Sequence, residues 1–286
     1  MKKVLVLGAT GLLGSSVFTT LEKISNFKIV GTSSLFRENY LKFDANNDSL
    51  VDLIGQEEPS HIVNCIGLVP QKKLNVSNFQ RNRQMFHLNS FLPRRISQIA
   101  NERQIGLIQI RTDCVFSGRR GNYKENSLKL PNGVYGWSKL LGEKSAHYNQ
   151  NIRCSIIGNS DFDNYSLFGW FKNLPEGAEI YGYTNHLWNG VTTDIFAKLV
   201  ASLILETKFE SFSTHLVPEG FLSKFELLHH FKLLTGRKDI NIIPKETPKS
   251  IDRRLVSTNT TLNQHLWKRA GYKTVPHIKD LISFNM

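Results

Sequence analysis

Short apolar segments alternate with segments of helical periodicity along the first half of the chain. Buried strands are predicted for the apolar segments Lys2–Leu7, Phe27–Thr32, His61–Ile66, Gly106–Ile110 and Arg153–Ile157. Helices are predicted for Leu12–Ile24, Asp48–Gln56 with Asp48 as its cap, Met85–Glu102 and Tyr135–Tyr148. Because these strands are apolar on both faces and helices separate them, the pattern predicts an α/β fold with a doubly wound parallel sheet.

The alternation stops near residue 158. Aromatic and glycine-rich loops follow, and helical periodicity then predicts two more helices, at Thr193–Glu206 and Ser223–Thr235. We therefore predict two parts, a larger domain formed by residues 1–158 and a smaller C-terminal lobe formed by residues 159–286. Within the second part, we expect the segment 190–206 to pack back on the larger domain.

The composition describes a basic chain with few cysteines. It has 36 Lys and Arg residues against 24 Asp and Glu residues, which gives a formal net charge of +12. This excess favours an anionic ligand, but the basic residues are scattered and no nucleic-acid-binding motif accompanies them, so nucleic acid is not an expected partner. The three cysteines, Cys65, Cys114 and Cys154, lack metal-binding spacing, so we expect no metal and a reducing, cytoplasmic location. No apolar run approaches the roughly 20 residues that span a bilayer.

A glycine-rich turn joins the first predicted strand to the first predicted helix. Glycine recurs there at every third position. Glycines let a ligand approach the backbone closely, and the free N–H groups of a helix N-terminus favour a pyrophosphate. In a strand–turn–helix unit, this turn predicts a dinucleotide-binding domain of the Rossmann type. The predicted contacts are Gly8, Thr10, Gly11, Leu12, Leu13 and Gly14.

The end of the second predicted strand indicates which dinucleotide binds. NAD sites usually place an Asp or Glu there to bind the ribose 2′-hydroxyl. This chain has no carboxylate at that point, and Ser33 and Ser34 follow the strand, with Arg37 shortly after them. Because hydroxyls and a guanidinium suit a 2′-phosphate, NADP (as NADPH) is the predicted cofactor, and NAD stays possible. The alternative is that Arg37 faces solvent.

Tyr135 and Lys139 are four residues apart and therefore share one face of a predicted helix. A nearby ammonium stabilises a phenolate, so we expect Lys139 to lower the pKa of Tyr135 from its ordinary value near 10. Taken alone, such a pair is more often a surface pair. Thr112, however, follows a predicted strand at the sheet edge where doubly wound folds bind ligands. The three residues therefore form a candidate catalytic site.

Four segments together resemble the extended short-chain dehydrogenase/reductases, and most of all their dTDP-4-dehydrorhamnose reductase-like group. The segments are GATGLLG from Gly8, NCIG at Asn64–Gly67, RTDCVFSG at Arg111–Gly118 and VYGWSKLLGE at Val134–Glu143. The resemblance covers about the first 160 residues and continues more thinly through RCSIIG at Arg153–Gly158 and WNGVTT at Trp188–Thr193.

The resemblance implies roles for individual residues. Tyr135 would be the general acid, Lys139 would tune it and hold the nicotinamide ribose, and Thr112 would bind the substrate oxygen. Asn89 would organise a proton-relay water. The residues expected along the cofactor are Asn64, Cys65, Ile66 and Gly67. The residues expected to bind a nucleotide sugar are Trp188, Asn189, Arg253 and Arg254.

Two positions depart from the usual pattern of this group. Arg111 and Cys114 stand where such reductases usually have Ser and Tyr. Because Cys114 replaces an aromatic hydroxyl near the sugar, the sequence does not identify which sugar is bound. Related dehydratases usually place an acid or a Lys just after the Thr-Asp pair, and Cys114 is neither, which counts against dehydration.

These features lead us to expect an NADPH-dependent reductase of a nucleotide-activated keto-sugar. A 4-keto-6-deoxyhexose made for a surface polysaccharide is the favoured substrate, and a homodimer is possible. Two alternatives stay open. One is a nucleotide-sugar epimerase that keeps its NAD(P) bound, and the other is a non-catalytic, NADP-binding regulatory subunit.

Overall fold

A seven-stranded sheet forms the centre of the larger part of the structure. The computed structural model describes residues 1–72, 75–159, 165–206 and 208–284. In spatial order the strands are β11 (Phe212–His215), β6 (Asn149–Arg153), β5 (Gly106–Arg111), β4 (His61–Asn64), β1 (Lys2–Leu7), β2 (Phe27–Ser33) and β3 (Leu41–Lys42). Every neighbouring pair is parallel. The α/β fold with a doubly wound parallel sheet is therefore confirmed.

Both faces of this sheet are buried because side chains alternate along each strand. On β1, Val4 and Val6 belong to one core, and Leu5 and Leu7 belong to a second core on the opposite face. The first core includes residues of α1 (Leu12–Glu22), α7 (Thr193–Leu205) and α9 (Thr260–Arg269). The second includes residues of α2 (Leu50–Glu57) and α4 (Leu92–Glu102). This two-sided burial explains why the strands are apolar throughout.

The strand order reverses beside β1. The chain places β2 and β3 on one side of β1 and then crosses to place β4, β5 and β6 on the other. Leu7 and Asn64, which end β1 and β4, are register partners. Ligands of doubly wound sheets bind in the crevice outside the carboxyl ends of the strands at such a point. The fold therefore places the segments after Leu7 and Asn64 at the expected ligand crevice.

A second group of short strands and helices follows β6. Its strands are β7 (Ile156–Ile157), β8 (Glu179–Tyr183), β9 (His186–Trp188), β10 (Val191–Thr192), β12 (Leu222–Ser223), β13 (Asn241–Lys245) and β14 (Ile251–Asp252). Its helices are α6 (Leu167–Lys172), α8 (Lys224–Thr235) and α10 (Ile278–Phe284). A separate apolar core holds them together, with Phe168, Phe171 and Phe231 among its members. The residue pattern after 158 thus corresponds to smaller sheets with their own core.

Two elements from the second half of the chain join the large sheet. Helix α7 packs against α1, and the hydroxyl of Ser16 donates a hydrogen bond to Asp194 at 2.7 Å. Strand β11 pairs with β6 at the sheet edge. The sequence analysis placed segment 190–206 against the larger domain but did not predict β11. The large sheet therefore contains strands from before and after residue 158 in the sequence.

Several predicted boundaries differ from those in the structure. Ser49, rather than Asp48, caps α2, and its hydroxyl accepts a hydrogen bond from the N–H of Asp52. The fourth strand ends at Asn64, not Ile66, and the predicted strand Arg153–Ile157 is divided between β6 and β7. Helix α5 (Gly133–Leu141) ends seven residues before Tyr148. The helical run that includes α4 begins at α3 (Asn78–Phe86), where Ser77 and Gln80 form a capping box.

The described residues contain neither a membrane-spanning helix nor a metal-binding cluster of side chains. In this part of the chain, no helix is long and apolar enough to cross a membrane. The same residues include no group of three or more His, Cys, Asp or Glu side chains that could hold a metal ion.

Candidate active site

The glycine turn is packed so closely that side chains at Gly8 and Gly14 would clash with neighbouring atoms. Gly8 has a φ of +75°, which favours glycine. A Cβ at Gly14 would collide with the carbonyl oxygen of Gly8. Gly11 precedes α1, and no side chain caps this helix end. The first N–H groups of α1 are therefore available at the crevice, which is the arrangement that holds a pyrophosphate.

The segment after β4 forms the facing wall of the crevice. The amide of Asn64 donates to Gln109 at 2.9 Å, and its oxygen accepts from the N–H of Ile66 at 3.1 Å. The N–H of Cys65 donates to the carbonyl of Leu7 at 2.9 Å. A Cβ at Gly8 would lie 2.9 Å from Ile66 Cγ1. Asn64 thus holds the predicted cofactor loop directly against the glycine turn.

The residues after β2 divide into buried and accessible groups. Ser33 is buried, and its hydroxyl accepts from Thr10 at 3.4 Å and from the N–H of Leu35 at 3.3 Å. Ser34 is exposed and Arg37 is half-buried. The predicted contact of Ser33 with the cofactor therefore competes with bonds inside the protein. Ser34 and Arg37 are the groups of this segment that a ligand can reach.

Thr112 lies close enough to the Tyr135 phenol for its hydroxyl to influence the Tyr135 pKa, which it lowers. Thr112 follows β5 directly, and its hydroxyl donates to Asp113 at 3.2 Å and accepts from the N–H of Cys114 at 3.1 Å. A Cβ at Gly136 would lie 2.5 Å from the carbonyl oxygen of Cys114, so α5 approaches this loop closely. The structure thus brings together two residues that are 23 positions apart in the sequence.

Burial raises the pKa of Tyr135 above its ordinary value, and Cys114 and Asp113 raise it further. The expectation that Lys139 lowers this pKa is therefore wrong for the structure described. The cause is that removing a phenolate from water costs more than the favourable influence of Thr112 returns. Tyr135 carries its proton at neutral pH, which is the state that a general acid requires.

The ammonium of Lys139 lies beside Gly67. A Cβ at residue 67 would be 2.7 Å from Lys139 Nζ. Burial lowers the pKa of Lys139 to about 8, and Cys114 and Cys65 oppose this shift. Within the described part of the chain, this ammonium has no hydrogen-bond or ion-pair partner. A half-buried cation beside the crevice is suited to a polar ligand.

Asn89 fastens the cofactor loop to helix α5. It lies in a π-helical turn, His87–Phe91, between α3 and α4. Its oxygen accepts from the N–H of Leu68 at 2.9 Å, and its amide donates to the carbonyl of Leu68 at 2.9 Å and to Ser138 Oγ at 3.1 Å. These bonds use the whole side-chain amide. Asn89 is therefore a positioning residue in this structure, and its role with a relay water stays a prediction.

A buried charged cluster holds the other side of Thr112. Arg153 donates to the carbonyl of Thr112 at 2.6 Å and pairs with Glu143 at 2.7 Å. Arg111, its register partner, donates to Ser213 and to the carbonyl of Lys144. Sequence analysis noticed Arg111 only as a departure and missed Glu143 and Arg153. Their pairing depends on strand register, and no local sequence pattern signals it.

The two predicted diphosphate ligands have different surroundings. The guanidinium of Arg254 makes three hydrogen bonds to Asp252, at 2.9, 3.1 and 2.7 Å, and lies over the Phe221 ring. Arg253 Nε donates to the carbonyl of Phe116 at 3.2 Å, beside the catalytic loop. Its charge partly offsets the effect of burial, which raises the pKa of Asp113. Of these two arginines, only Arg253 lies near Thr112 and has no carboxylate bound to its guanidinium among the described residues.

The predicted substrate residues Trp188 and Asn189 have different environments. Trp188 is half-buried at the end of β9 and packs on the core of the smaller sheets. Asn189 is buried, and its amide bonds both backbone groups of Leu255, at 2.7 and 2.9 Å. Asn189 therefore holds the segment that carries Arg253. Contact between Asn189 and a substrate stays a prediction, because the observed hydrogen bonds of its amide go to Leu255.

A comparison with protein-family models identifies a match over more than half of the chain. The model described as RmlD substrate binding domain matches residues 1–160. These residues include the glycine turn, the cofactor loop and the Thr112–Tyr135–Lys139 group.

Two curated proteins illustrate the similarity at the sequence level. Methionine adenosyltransferase 2 subunit beta from Rattus norvegicus is 32% identical over 181 residues, which cover 62% of this chain and 50% of the relative. dTDP-4-dehydrorhamnose reductase from Aggregatibacter actinomycetemcomitans is 27% identical over 148 residues, which cover 50% of this chain and 46% of the relative. The matched region thus spans about half the length of each of these relatives.

A solved structure resembles the whole chain. The crystal structure of dTDP-4-dehydrorhamnose reductase from Bacillus anthracis in complex with NADP superimposes with a TM-score of 0.74 at 18% identity. The superposition covers 99% of this chain and 98% of the solved one. At this level of identity, the likeness concerns the fold.

Proposed function

The chain belongs to the RmlD substrate binding domain family, and from this membership we propose that it is an NADPH-dependent reductase of a nucleotide-activated keto-sugar. The substrate class is a sugar with a carbonyl group, linked to a nucleoside diphosphate, and we favour a 4-keto-6-deoxyhexose used for a surface polysaccharide. The coarser assignment, an NAD(P)-dependent oxidoreductase, agrees with the family match and with the name of the reductase relative.

The observation that carries the proposal is the meeting of Thr112, Tyr135 and Lys139 at the crevice of the sheet. The Thr112 hydroxyl lies near the Tyr135 phenol, and the ammonium of Lys139, which has no partner among the described residues, lies against the cofactor loop at Gly67. The three residues come from two elements that other contacts hold in place. A proton donor, a hydroxyl and a cation at one ligand crevice are the groups that carbonyl reduction needs.

The residues present fit a nicotinamide dinucleotide. The cradle at Gly8 and Gly14 has no room for a Cβ, and the N-terminus of α1 behind it has free N–H groups for a pyrophosphate. Ser34 and Arg37, rather than a carboxylate, follow β2. This supports NADP as the cofactor, and NAD is the second choice. The neighbouring fold from Bacillus anthracis is described in complex with NADP.

NADPH, when bound, supplies the hydride for the carbonyl carbon. Tyr135 donates its phenolic proton to the carbonyl oxygen, and its raised pKa keeps that proton in place until charge develops on the oxygen. Thr112 holds the same oxygen through its hydroxyl. Lys139 would hold the ribose hydroxyls of the cofactor with its ammonium.

In this proposal, the two parts of the chain bind different ligands. Residues 1–158 hold the cofactor and the catalytic groups, and residues 159–286 hold most of the nucleotide sugar. Arg253 lies between the two parts, because it follows β14 and bonds the carbonyl of Phe116. The net charge of +12 suits two phosphate-bearing ligands.

The test is the loss of NADPH absorbance in the presence of a panel of nucleotide keto-sugars. We expect turnover with at least one of them and none with the same sugars lacking the keto group. The double variant Tyr135→Phe with Thr112→Val, which lacks the proton donor and the neighbouring hydroxyl, serves as the inactive control. If no keto-sugar supports NADPH oxidation while NADPH itself binds, the reductase proposal is wrong.

A second candidate is a non-catalytic subunit that keeps the fold and the cofactor. The similarity to a subunit of methionine adenosyltransferase 2 favours it. The complete Thr112–Tyr135–Lys139 group argues against it, since a binding subunit has no need for a buried proton donor. Binding of NADPH without any turnover across the panel would support this candidate.

The third candidate is an epimerase that oxidises and reduces its sugar within one cycle. Such an enzyme keeps its cofactor between turnovers. Cofactor that stays with the protein through purification would favour the epimerase, and cofactor that exchanges freely would favour the reductase.

A further inference from the structure

A three-stranded sheet in the smaller part of the chain brings three basic side chains together. Strand β9 lies between β12 and β14. Ser223 pairs with Leu187 in the antiparallel register, so Lys224, the next residue, lies opposite His186. On the other side, Asp252 pairs with Leu187 in the parallel register, so Arg253 comes beside Trp188. The sequence analysis did not select His186 or Lys224, because only this register joins them to Arg253.

Among the described residues, the ammonium of Lys224 and the two terminal nitrogens of Arg253 have no hydrogen-bond or ion-pair partner. Lys224 is half-buried, and in the described part of the chain its ammonium makes no hydrogen bond or ion pair. Arg253 uses Nε for the carbonyl of Phe116, and its two terminal nitrogens bond none of the described residues. Burial lowers the pKa of His186, and the charges of Lys224 and Arg253 lower it further, in agreement with the register that places the three residues on neighbouring strands.

The nearby carboxylates are engaged elsewhere. Asp252 is bound on both oxygens by Arg254. Glu226 accepts from the N–H and the hydroxyl of Ser223 in a capping box, at 2.7 and 2.8 Å. Neither neutralises Lys224. An anion stabilises a half-buried ammonium, and no described carboxylate forms an ion pair with Lys224.

The geometry points to an anion subsite in which Lys224, with His186 beside it, joins Arg253 to bind the diphosphate of the nucleotide sugar. This inference rests on the proposed function for the identity of the ligand. A guanidinium binds phosphate oxygens in a planar fork, and an ammonium adds a point charge that needs no fixed geometry. Because Arg253 also bonds the loop of Thr112, a diphosphate held here leaves its sugar next to Tyr135.

The aromatic residues beside this subsite fit the nucleoside end of such a ligand. Tyr181 and Tyr183 alternate with Gly182 on β8, so they share one face. The Tyr183 ring lies 4.6 Å from the His186 ring, and Lys245 lies 4.0 Å above the half-exposed Tyr181 ring. A nucleotide base that extends from the diphosphate towards β8 could stack on the rings of Tyr181 and Tyr183.

The test measures binding, so it does not depend on turnover. dTDP and UDP are titrated calorimetrically into the full-length protein saturated with NADPH, which blocks the phosphate sites of the cofactor. We expect Lys224→Gln to weaken nucleoside diphosphate binding about tenfold or more, since a charge-assisted contact is lost. Lys224→Arg keeps the charge and should stay within about threefold of the wild type.

Lys198→Gln is the matched control. Lys198 is an exposed lysine on α7, so its loss changes the net charge equally without touching the subsite. NADPH affinity should be the same in all variants, because the glycine turn is unchanged, and Lys224→Gln should unfold at a temperature no lower than the wild type, because it removes a half-buried charge.

The outcomes separate this inference from the proposed function. The subsite would be overturned if Lys198→Gln weakened nucleoside diphosphate binding as much as Lys224→Gln does, or if Lys224→Gln left this binding unchanged. It would also be overturned if the wild type bound no nucleoside diphosphate. Binding that depends on Lys224 in a protein that reduces no keto-sugar would support the subsite and contradict the reductase proposal.

Discussion

Burial acts in opposite directions on the two ionisable catalytic side chains. It raises the pKa of Tyr135 and lowers that of Lys139 to about 8. In both cases the charged form is disfavoured because it loses its contact with water. Tyr135 is therefore a reliable proton donor at neutral pH, whereas Lys139 is close to losing its charge.

The pH dependence of NADPH binding should report on Lys139. Because its pKa is depressed, the ammonium is present below about pH 8 and is lost as the pH rises through that value. We expect the Kd for NADPH, measured by fluorescence, to increase as the pH is raised from about 7 to about 9. Lys139→Met should bind more weakly and lack this dependence. A flat wild-type profile would show that the ammonium does not hold the cofactor.

Arg37 should determine the choice between NADPH and NADH. A charged hydrogen bond to a phosphate contributes about 1.5–3 kcal/mol, so Arg37→Ala should remove about a tenfold or larger preference for NADPH. Affinity for NADH, which lacks the 2′-phosphate, serves as the internal control and should hardly change. Equal affinity of the wild type for the two cofactors would contradict this assignment.

Among the elements, the π-helical turn between α3 and α4 connects the parts of the site. Through Asn89 it holds Leu68 on one side and Ser138 of α5 on the other. Insertions of this kind in helices are common at functional sites, because the extra residue redirects a side chain. The distance between Gly67 and Lys139 therefore depends on a helix that carries no catalytic residue.

Asn89→Ala should loosen this connection. It would leave the buried N–H and carbonyl of Leu68 without partners, at a cost of about 2–4 kcal/mol in the free energy of unfolding. Urea denaturation measures that loss, and NADPH affinity should fall as well. Asn82→Ala on α3 is the control, since among the described residues the Asn82 side chain has no hydrogen bond. Similar stability of both variants would rule out this positioning role.

Element boundaries were predictable where local pattern and packing agree. Strand β1 has the predicted bounds, because its apolar run ends at the glycine turn. Helix α5 ends early because Gly142 packs against the carbonyl of Asn89 and Glu143 turns away to reach Arg153. These tertiary contacts override helix propensity after Leu141. Strand β11 was missed because a short edge strand with the sequence FSTH has no distinctive pattern.

At the scale of the whole molecule, the candidate site was predictable only in part. The glycine turn and the Tyr135–Lys139 spacing are local patterns, and the structure brings both to the crevice. The partners of Asn189 and Arg254 could not be read from the sequence, because an amide or a guanidinium gives no sign of whether protein or ligand will bind it. The fold uses Asn189 and Arg254 to fix the segment on which Arg253 reaches Thr112.

Transfer of deuterium from NADPH labelled at nicotinamide C4 tests the central claim most directly. The account predicts that a nucleotide keto-sugar becomes an alcohol with one deuterium at the former carbonyl carbon, as one NADPH is oxidised. Tyr135→Phe should slow this transfer by about 10²–10⁴ while NADPH still binds, because the variant lacks only the proton donor. An unlabelled product, no product, or transfer at the wild-type rate in Tyr135→Phe would contradict the account.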